Sequence, residues 1–354
     1  MLSSVLVPLD GSPLAERALP YATALAGASR AKLHLIRSVV TRLFPGPHPE
    51  DAQLQIVQEA ENYLADLVNR LKTDDLVITP HVYLERPAVA ILDAAKRQSA
   101  DLIVMSTHGR GGLGRWIYGS VADWVLREAQ TPILLVPAGS IRAWQPDRSP
   151  KVLLPLDGSD LAESTIATLN NVAPTANADL VLLRVIEPPT YPIYGDGYAY
   201  IPFDEEAERQ DAQNYLDRVA ERLKGQGYRV SSQILVGTPS STIPAVARDE
   251  GVDCVAMTTH GYGGLTRLVM GSVVTGVVQQ SPAPLLLTRP LPKAETAPSQ
   301  PAALTEPLTL SLTAQERTLL AHALQALLTA TEKDEHLTAP IQALLDRVSA
   351  QPRS

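Results

Sequence analysis

The chain has 354 residues, of which 45% are hydrophobic and only 5% aromatic, so it is long enough for two aliphatic cores at about 100–200 residues per domain. Its formal charge of −8 disfavours nucleic acid as a partner, because such binding needs a basic surface. The single cysteine, Cys254, excludes an internal disulfide, and its apolar neighbours predict a buried thiol.

Short apolar strands alternate with helices along the first part of the chain. Ser12 is predicted to be the N-cap of the first helix, with Pro13 as its first residue. In chain order the pattern predicts a strand over 5–9, a helix to about residue 27, a strand over 32–40, a helix over 50–72, a strand over 76–84, a helix over 88–98, a strand over 101–106, a helix over 120–128 and a strand over 133–136. This alternation predicts an α/β fold, in which helices cover both faces of a parallel sheet.

The same course then returns in the second part of the chain. Asp157 follows Asp10 by 147 residues (157 − 10), and His260 follows His108 by 152 (260 − 108), with similar neighbours each time. A repeat of this length is a whole domain rather than a solenoid unit. The sequence therefore predicts two α/β domains, over 1–138 and 149–290, each with its own site, which pack as an internal pseudo-dimer through their last strands, over 133–136 and 285–288.

Three segments lie outside this scheme. A tyrosine-rich loop over 188–200 interrupts the second repeat; it is either a plain surface loop or a lid or partner contact. Residues 291–310 form a Pro-rich linker. Residues 311–350 predict a helical hairpin that begins with a capping-box pattern. We expect the hairpin to dock on the body or to dimerise, because so short a segment buries little surface alone.

One glycine pattern carries the strongest chemical signal. His108-Gly109 is followed after nine residues by Gly119-Ser120, and the second repeat has the same spacing. If the strand order is 3-2-1-4-5, Asp10 and this segment face one crevice at the carboxyl ends of the strands. Glycines let backbone amides approach phosphate oxygens, and Ser120 begins a helix, where anions bind. The alternative is a set of glycine turns and a capping serine without a ligand.

These motifs resemble the universal stress protein family. The resemblance rests on Pro8-Leu9-Asp10, on Met105-Ser106-Thr107-His108-Gly109 and on the nine-residue spacer before Gly119-Ser120, and it extends along nearly all of both repeats. It implies a tandem two-domain member with five-stranded open sheets and, as in one subclass of the family, ATP binding.

The resemblance also implies the residues that would contact the nucleotide. Pro8 and Asp10 would border the ribose and phosphates, and Asp10 and Asp157 would lie near any Mg²⁺. Ser38 or Val185 would contact the base, and the glycines would hold the phosphates. The full set is Pro8, Asp10, Ser38, Met105, Ser106, His108, Gly109, Gly119, Ser120 and Val121, with Pro155, Asp157, Val185, Met257, Thr258, His260, Gly261, Gly271, Ser272 and Val273 in the second repeat.

The chain departs from the ATP-binding pattern of the family in both repeats. That pattern begins with a glycine where this chain has Ser106 and Thr258, and a Cβ there could crowd the nucleotide. Glu85 also replaces a frequent glycine, which is present as Gly237 in the second repeat. For Asp10 and Asp157 the alternative to metal binding is a structural role in the turn, because an aspartate side chain readily hydrogen-bonds the backbone that follows it.

We expect a protein of the cytoplasm that binds ATP or another adenine nucleotide, with Mg²⁺, and acts as a stress-related regulatory module without efficient catalysis. No basic segment precedes an apolar stretch at the N-terminus, and no run is long and apolar enough to span a bilayer, so no membrane partner is expected. A further homodimer and an unidentified protein partner stay open. The alternatives are a nucleotide-free scaffold and a slow ATPase or self-phosphorylating enzyme.

Overall fold

Both repeats alternate strands with helices, in the order that the sequence predicts. The structure, a computed structural model, describes residues 2–40, 49–107, 119–138, 140, 149–172, 178–188, 204–259 and 271–289. The elements of the first repeat are β1 (Ser4–Leu9), α1 (Pro13–Glu16), α2 (Leu19–Ser29), β2 (Lys32–Ser38), α3 (Pro49–Leu71), β3 (Ile78–Tyr83), α4 (Pro87–Arg97), β4 (Leu102–Ser106), α5 (Ser120–Glu128) and β5 (Ile133–Val136).

The second repeat follows the same course, with one helix where the first repeat has α1 and α2. Its elements are β6 (Lys151–Pro155), α6 (Asp160–Val172), β7 (Asp179–Ile186), α7 (Glu205–Lys224), β8 (Arg229–Val236), α8 (Pro239–Asp249), β9 (Cys254–Thr258), α9 (Ser272–Gln280) and β10 (Leu285–Thr288).

The first helix differs from the prediction, because it is broken into α1 and α2 rather than continuous to residue 27. Pro20 has no amide hydrogen to donate to the carbonyl of Glu16, and Ala18 instead donates to the carbonyl of Ala15, 3.2 Å away. In the second repeat Ala167 stands where the first has Pro20, and α6 runs unbroken through it.

The described strands form one sheet, in the order β3-β2-β1-β4-β5-β10-β9-β6-β7-β8. Each repeat thus has the predicted 3-2-1-4-5 order, and its strands pair in parallel. The halves join where β5 and β10 pair antiparallel, with Leu134 opposite Leu286. These are the two strands that the sequence places at the boundary between the repeats.

Helices cover both faces of the sheet and create two aliphatic layers. On the first face, α1, α2 and α3 with α6 and α7 pack over strand residues such as Val7 and Val104. On the second face, α4, α5, α8 and α9 pack over residues such as Leu6 and Met105. Cys254 lies in the first layer, and burial raises the pKa of its thiol to about 12, in agreement with the predicted buried thiol.

Parts of the sequence predictions fall outside this description. The tyrosine-rich loop beyond Pro188, the linker over 291–310 and the hairpin over 311–350 lie outside the described residues. Within the ranges that are described, none of the helices combines the length and the apolar character that a membrane span requires.

Candidate functional site

The carboxyl ends of β1, β2 and β4 meet where the strand order of the first repeat changes direction. β1 lies between β2 and β4, and open α/β sheets bind ligands at such a position. Pro8 and Met105 lie on the same face of the sheet there, because Leu6 and Met105 belong to one core layer and side chains alternate along a strand. The second repeat has the same arrangement around β6, β7 and β9.

Ser38 and its counterpart Val185 lie on this same second face, at the ends of β2 and β7. Ser38 follows Ile36, a residue of the second core layer, by two positions, and Val185 packs against that layer directly. The structure therefore brings Pro8, Ser38 and Met105 to one crevice, and Pro155, Val185 and Met257 to the other. The two crevices differ at the β2 position, because Ser38 offers a hydroxyl where Val185 is apolar.

The turn after β1 is built by Asp10, and the turn after β6 by Asp157 in the same way. The Ser12 amide donates to Asp10 Oδ1 at 2.9 Å, and the Ser159 amide donates to Asp157 Oδ1 at 2.9 Å. Gly11, with φ of 80°, supplies the left-handed conformation that this turn needs. Ser12 Oγ then accepts from the Ala15 amide at 3.1 Å and caps α1, as predicted. Each aspartate thus has the turn-building role that the sequence left open.

The described residues place no preformed group of metal ligands around Asp10 or Asp157. Among the residues that the structure describes, no group of three or more His, Cys, Asp or Glu side chains is placed to hold a metal ion.

Glycines cap the helices that follow β4 and β9. Gly119 is the N-cap of α5 and Gly271 the N-cap of α9, and no side chain caps either helix. The capping role of the Ser120 hydroxyl that the sequence suggests is wrong. Ser120 is the first helical residue, one position too late for a side-chain cap, and its side chain is exposed, like that of Ser272. Val121 and Val273 pack partly against the second core layer.

Ser106 and Thr258 do not share the face of the other predicted residues. They end β4 and β9 one position after Met105 and Met257, so their side chains alternate to the first face. Thr258 pairs in register with Thr288, whose hydroxyl lies 3.2 Å from that of Thr165 on α6. The Cβ atoms of Ser106 and Thr258, which were expected to crowd a nucleotide, therefore lie on the face opposite to Met105 and Ser38.

Sequence reasoning missed Thr107 and Thr259, which connect each strand end to the following helix. The Gly119 amide donates to the carbonyl oxygen of Thr107 at 3.0 Å, and the Gly271 amide to that of Thr259 at 3.2 Å. Both threonines are buried, and Thr107 Oγ1 also accepts from the Ala138 amide at 3.2 Å. The signal was the threonine that precedes His-Gly in both repeats.

A second missed feature is a charged cluster on the first face, which occurs in both repeats. Tyr63 donates through its hydroxyl to Glu16 at 3.0 Å, Arg70 pairs with Glu16 at 2.9 Å, and the Arg37 guanidinium lies 4.9 Å from the centre of the Tyr63 ring. Burial, with the adjacent Glu16, raises the pKa of the Tyr63 hydroxyl above its ordinary value. This cluster ties α3 to α1, directly behind the Asp10 turn.

The second repeat has equivalent residues in Glu163, Tyr215 and Arg222, but the buried Tyr215 hydroxyl has no hydrogen-bond partner among the described residues. Arg222 pairs with Glu163 at 2.5 Å, and burial, with the charge of Glu163, raises the pKa of the Tyr215 hydroxyl. The recurring Glu–Arg pair ties α6 to α7 as it ties α1 to α3. The remaining predicted residues, His108, Gly109, His260 and Gly261, lie outside the described residues.

Comparison with known proteins agrees with the repeat organisation. A family model, described as the Universal stress protein family, matches residues 1–137 and 149–289. A universal stress protein of Mycolicibacterium smegmatis is 28% identical over 302 residues, which are 81% of this chain and 97% of that protein. One from Thermus aquaticus is 36% identical over 141 residues, 38% of this chain and 99% of that protein.

Solved structures share the fold. A universal stress protein from Archaeoglobus fulgidus superposes with a TM-score of 0.56 at 19% identity, over 81% of this chain and 98% of that one. A functionally unknown protein from Pseudomonas aeruginosa gives a TM-score of 0.58 at 17% identity, over 82% of this chain and 93% of that one. At such identities the similarity describes the fold alone.

Proposed function

The chain belongs to the universal stress protein family, and on that premise we propose that each repeat binds ATP or a related adenine nucleotide, with Mg²⁺ on the phosphates. The phosphates would lie at the N-termini of α5 and α9, and the base between the ends of β2 and β4, or of β7 and β9. The nucleotide would act as a signal, so that the protein works as a ligand-responsive module in a stress response.

One observation carries this proposal: nothing among the residues that the structure describes requires Gly119 or Gly271 to be glycine. Their φ angles, −59° and −57°, are open to any residue. A Cβ would lie 3.9 Å from the Thr107 oxygen at Gly119 and 3.6 Å from the Thr259 oxygen at Gly271, which is ordinary contact. Helices usually begin with Ser, Thr, Asp, Asn or Gly, and among these only glycine has no side chain to cap the first amides. A glycine at both positions keeps those amides open to an anion from outside.

The duplicated aspartate turn supports the same proposal. Asp10 and Asp157 stand at the crevice beside those helix starts, each with one carboxylate oxygen on a serine amide. Mg²⁺ is commonly bound by one or two carboxylates together with substrate phosphates. Asp10 and Asp157 would therefore hold a cation that arrives with the nucleotide, rather than a resident metal.

Slow phosphoryl transfer is a second candidate, favoured by the exposed hydroxyls of Ser120 and Ser272 at the helix starts. It predicts phosphoserine at these positions after incubation with ATP and Mg²⁺, detected by mass spectrometry and absent from the S120A/S272A variant. A nucleotide-free scaffold is less favoured, because Ser106 and Thr258 lie on the other face of the sheet.

Two measurements test the proposal. The protein is purified without added nucleotide and denatured, and the released small molecules are identified by mass spectrometry; we expect an adenine nucleotide. Calorimetric titration of nucleotide-stripped protein with ATP and Mg²⁺ should then give two unlike sites, since Ser38 and Val185 differ. No released nucleotide and no heat of binding at millimolar ATP would contradict the proposal, and one uniform class of sites would contradict the inequality.

A further inference from the structure

The outer strands of the sheet are β3 and β8, and among the described strands each has a neighbour on one side alone. An outer strand presents backbone amides and carbonyls that can pair with a further strand, and natural proteins often block such an edge with proline or lysine. β3 and β8 are equivalent strands of the two repeats, but they differ in this protection.

Proline blocks the outer edge of β3. The carbonyls of Val77 and Tyr83 accept from the amides of Leu33 and Val39 on the β2 side, each at 2.8 Å. Backbone groups of alternate residues point to the same side of a strand, so those of residue 80 point outward. Because Pro80 has no amide hydrogen, the outer side of β3 lacks a donor in the middle of the strand.

β8 has an amide at the equivalent place. The Gly237 amide donates to the carbonyl of Ile186 on β7 at 2.9 Å, and the Arg229 amide donates at 3.4 Å to the carbonyl just before β7. By the same alternation, the backbone groups of Ser232 point outward. Ser232 is the counterpart of Pro80 (232 − 80 = 152) and is exposed. The edge of β8 thus keeps the donor that β3 lacks.

The residues of β8 allow it to pair with a copy of itself. In an antiparallel pair centred on Ser232, each Ser232 exchanges amide–carbonyl bonds with its copy. Val230 then stands opposite the partner's Ile234 on the first face, where both pack against the core layer, and apolar cross-strand pairs are stabilising. Leu235, which is 36% exposed, stands opposite the partner's Arg229, the one charged residue among the eight of β8.

The charges of α7 agree with this antiparallel arrangement. Arg209 Nη1 lies 3.5 Å from the carbonyl oxygen of Ile234, so the N-terminal end of α7 lies near the C-terminal end of β8, and that oxygen keeps a second lone pair for a partner amide. The first turn of α7 carries three glutamates, and the last turn carries an arginine and a lysine. A two-fold axis at Ser232 turns the acidic end of each α7 towards the basic end of the other, which favours this orientation.

We propose that β8 is the interface through which two copies of this chain dimerise. The pair would join two sheets edge to edge, as β5 and β10 join the two repeats antiparallel within one chain. Pro80 gives this arrangement a limit. A two-fold contact between identical edges closes at the dimer, whereas a second open edge at β3 would let further copies add to the sheet.

Sedimentation of the full chain tests the proposal and should show a dimer. Ser232→Pro removes the central outward amide, as Pro80 does in β3, and keeps the hydrogen bonds to β7. The dissociation constant of the dimer should therefore rise by at least roughly tenfold. Ser232→Ala keeps the amide and is the matched control, which should dimerise like the wild type. Circular dichroism and urea unfolding establish that both variants are folded.

Charges at the two-fold axis give a second test that leaves the backbone intact. Ser232→Lys and Ser232→Glu each place like charges opposite one another, so each variant alone should be monomeric at low salt. Mixed in equal amounts, the two variants should form a heterodimer, because lysine then stands opposite glutamate. A monomeric wild type would mean that something other than a second copy covers β8. That result, a dimer that survives Ser232→Pro, or no association in the mixture would overturn the proposal.

Discussion

The amide of Gly119 donates to the carbonyl oxygen of Thr107 at 3.0 Å, so the first turn of α5 begins directly beside the residue that follows β4. Twelve positions separate the two residues in the sequence. Gly271 and Thr259 repeat the contact at 3.2 Å. The open amides of each helix are thereby held at the carboxyl edge of the sheet, where ligands of α/β proteins bind.

Substitution of Gly119 or Gly271 by alanine should weaken nucleotide binding while it leaves the unfolding free energy nearly unchanged. The backbone accepts alanine at both positions, so we expect each variant to lose less than ~1 kcal/mol of unfolding free energy. The added methyl group stands where a phosphate oxygen would approach the amides, so nucleotide affinity of the altered repeat should fall by at least roughly tenfold. Urea unfolding and calorimetric titration measure the two effects.

Gly27→Ala is the matched control for these variants. Gly27 lies within α2, and a Cβ there meets nothing within 4 Å. Alanine should raise the unfolding free energy by about 0.5–1 kcal/mol and leave nucleotide affinity unchanged. Equal affinity of the Gly119→Ala, Gly271→Ala and control proteins would mean that no ligand approaches the helix starts.

Asparagine at Asp10 and Asp157 should preserve the turns and remove the charge. Asparagine keeps the Oδ1 acceptor for the Ser12 and Ser159 amides, so we expect little change in unfolding free energy. Alanine removes that acceptor and should cost about 1 kcal/mol per turn. If the aspartates hold a cation with the phosphates, the D10N/D157N variant should lose the gain in ATP affinity that Mg²⁺ brings to the wild type.

Titrations with and without Mg²⁺ decide this point. If Mg²⁺ raises the ATP affinity of the D10N/D157N variant as much as that of the wild type, these carboxylates only build turns. Slow ATP hydrolysis, where it occurs, is followed in the same variant, and unchanged phosphate release would exclude the aspartates from that reaction.

Acid should destabilise the first repeat through His34 and His81. Their rings stack, and His34 Nδ1 lies 3.2 Å from His81 Nε2. Burial lowers the pKa of His34, and the charges of His81 and Lys32 lower it further; burial also lowers the pKa of His81. The unfolded chain, with histidine pKa near ~6.5, therefore takes up protons first. Stability is fully present above that pH and is lost as the pH falls through the folded-state values.

The second repeat supplies the control for this prediction. Val181 and Gln233 stand at the positions equivalent to His34 and His81. The urea midpoint of the wild type should fall between pH 7.5 and pH 5.5, and the H34V/H81Q variant should lose less over the same range. Equal losses in the two proteins would assign the pH dependence to other groups.

Removal of residues 1–148 should make the second repeat self-associate. In the full chain, β5 pairs along the edge of β10, with Ile133 opposite Leu287 and Leu135 opposite Leu285. Without β5 the apolar edge of β10 is unpaired, and such edges recruit another strand. Sedimentation of the truncated protein should show dimers of the folded second repeat. A folded, monodisperse monomer would contradict this expectation.

The sequence alone was enough for much of the fold. The two repeats, the strand and helix order and the turn cap at Ser12 are local or repeated features, and local hydrogen bonding and side-chain periodicity leave a direct trace in the residues. The first helix was predicted to be continuous, and it is broken in two because Pro20 acts against an otherwise helical pattern. Most bounds shifted by one or two residues, since helix and strand ends depend on contacts that periodicity does not contain.

The candidate site depended more on tertiary structure. Sequence motifs placed Pro8, Asp10, Ser38 and Met105 near one another, because strand ends in this topology meet at one edge. They did not show that Ser106 faces the other side of the sheet, since that follows from strand alternation once the strand ends are known. Nor did they show that Gly119, rather than Ser120, caps α5.

The duplication of an α/β domain could thus be predicted from the order of residues by itself, because repeats and side-chain periodicity are properties of the linear sequence. Only the folded chain decided that β5 meets β10 in register, that the Ser38 hydroxyl bonds the carbonyl of Glu85, and that a Glu85 carboxylate oxygen lacks a donor among the described residues. Such contacts join residues that are tens to more than a hundred positions apart, and their existence depends on distances that the linear chain does not carry.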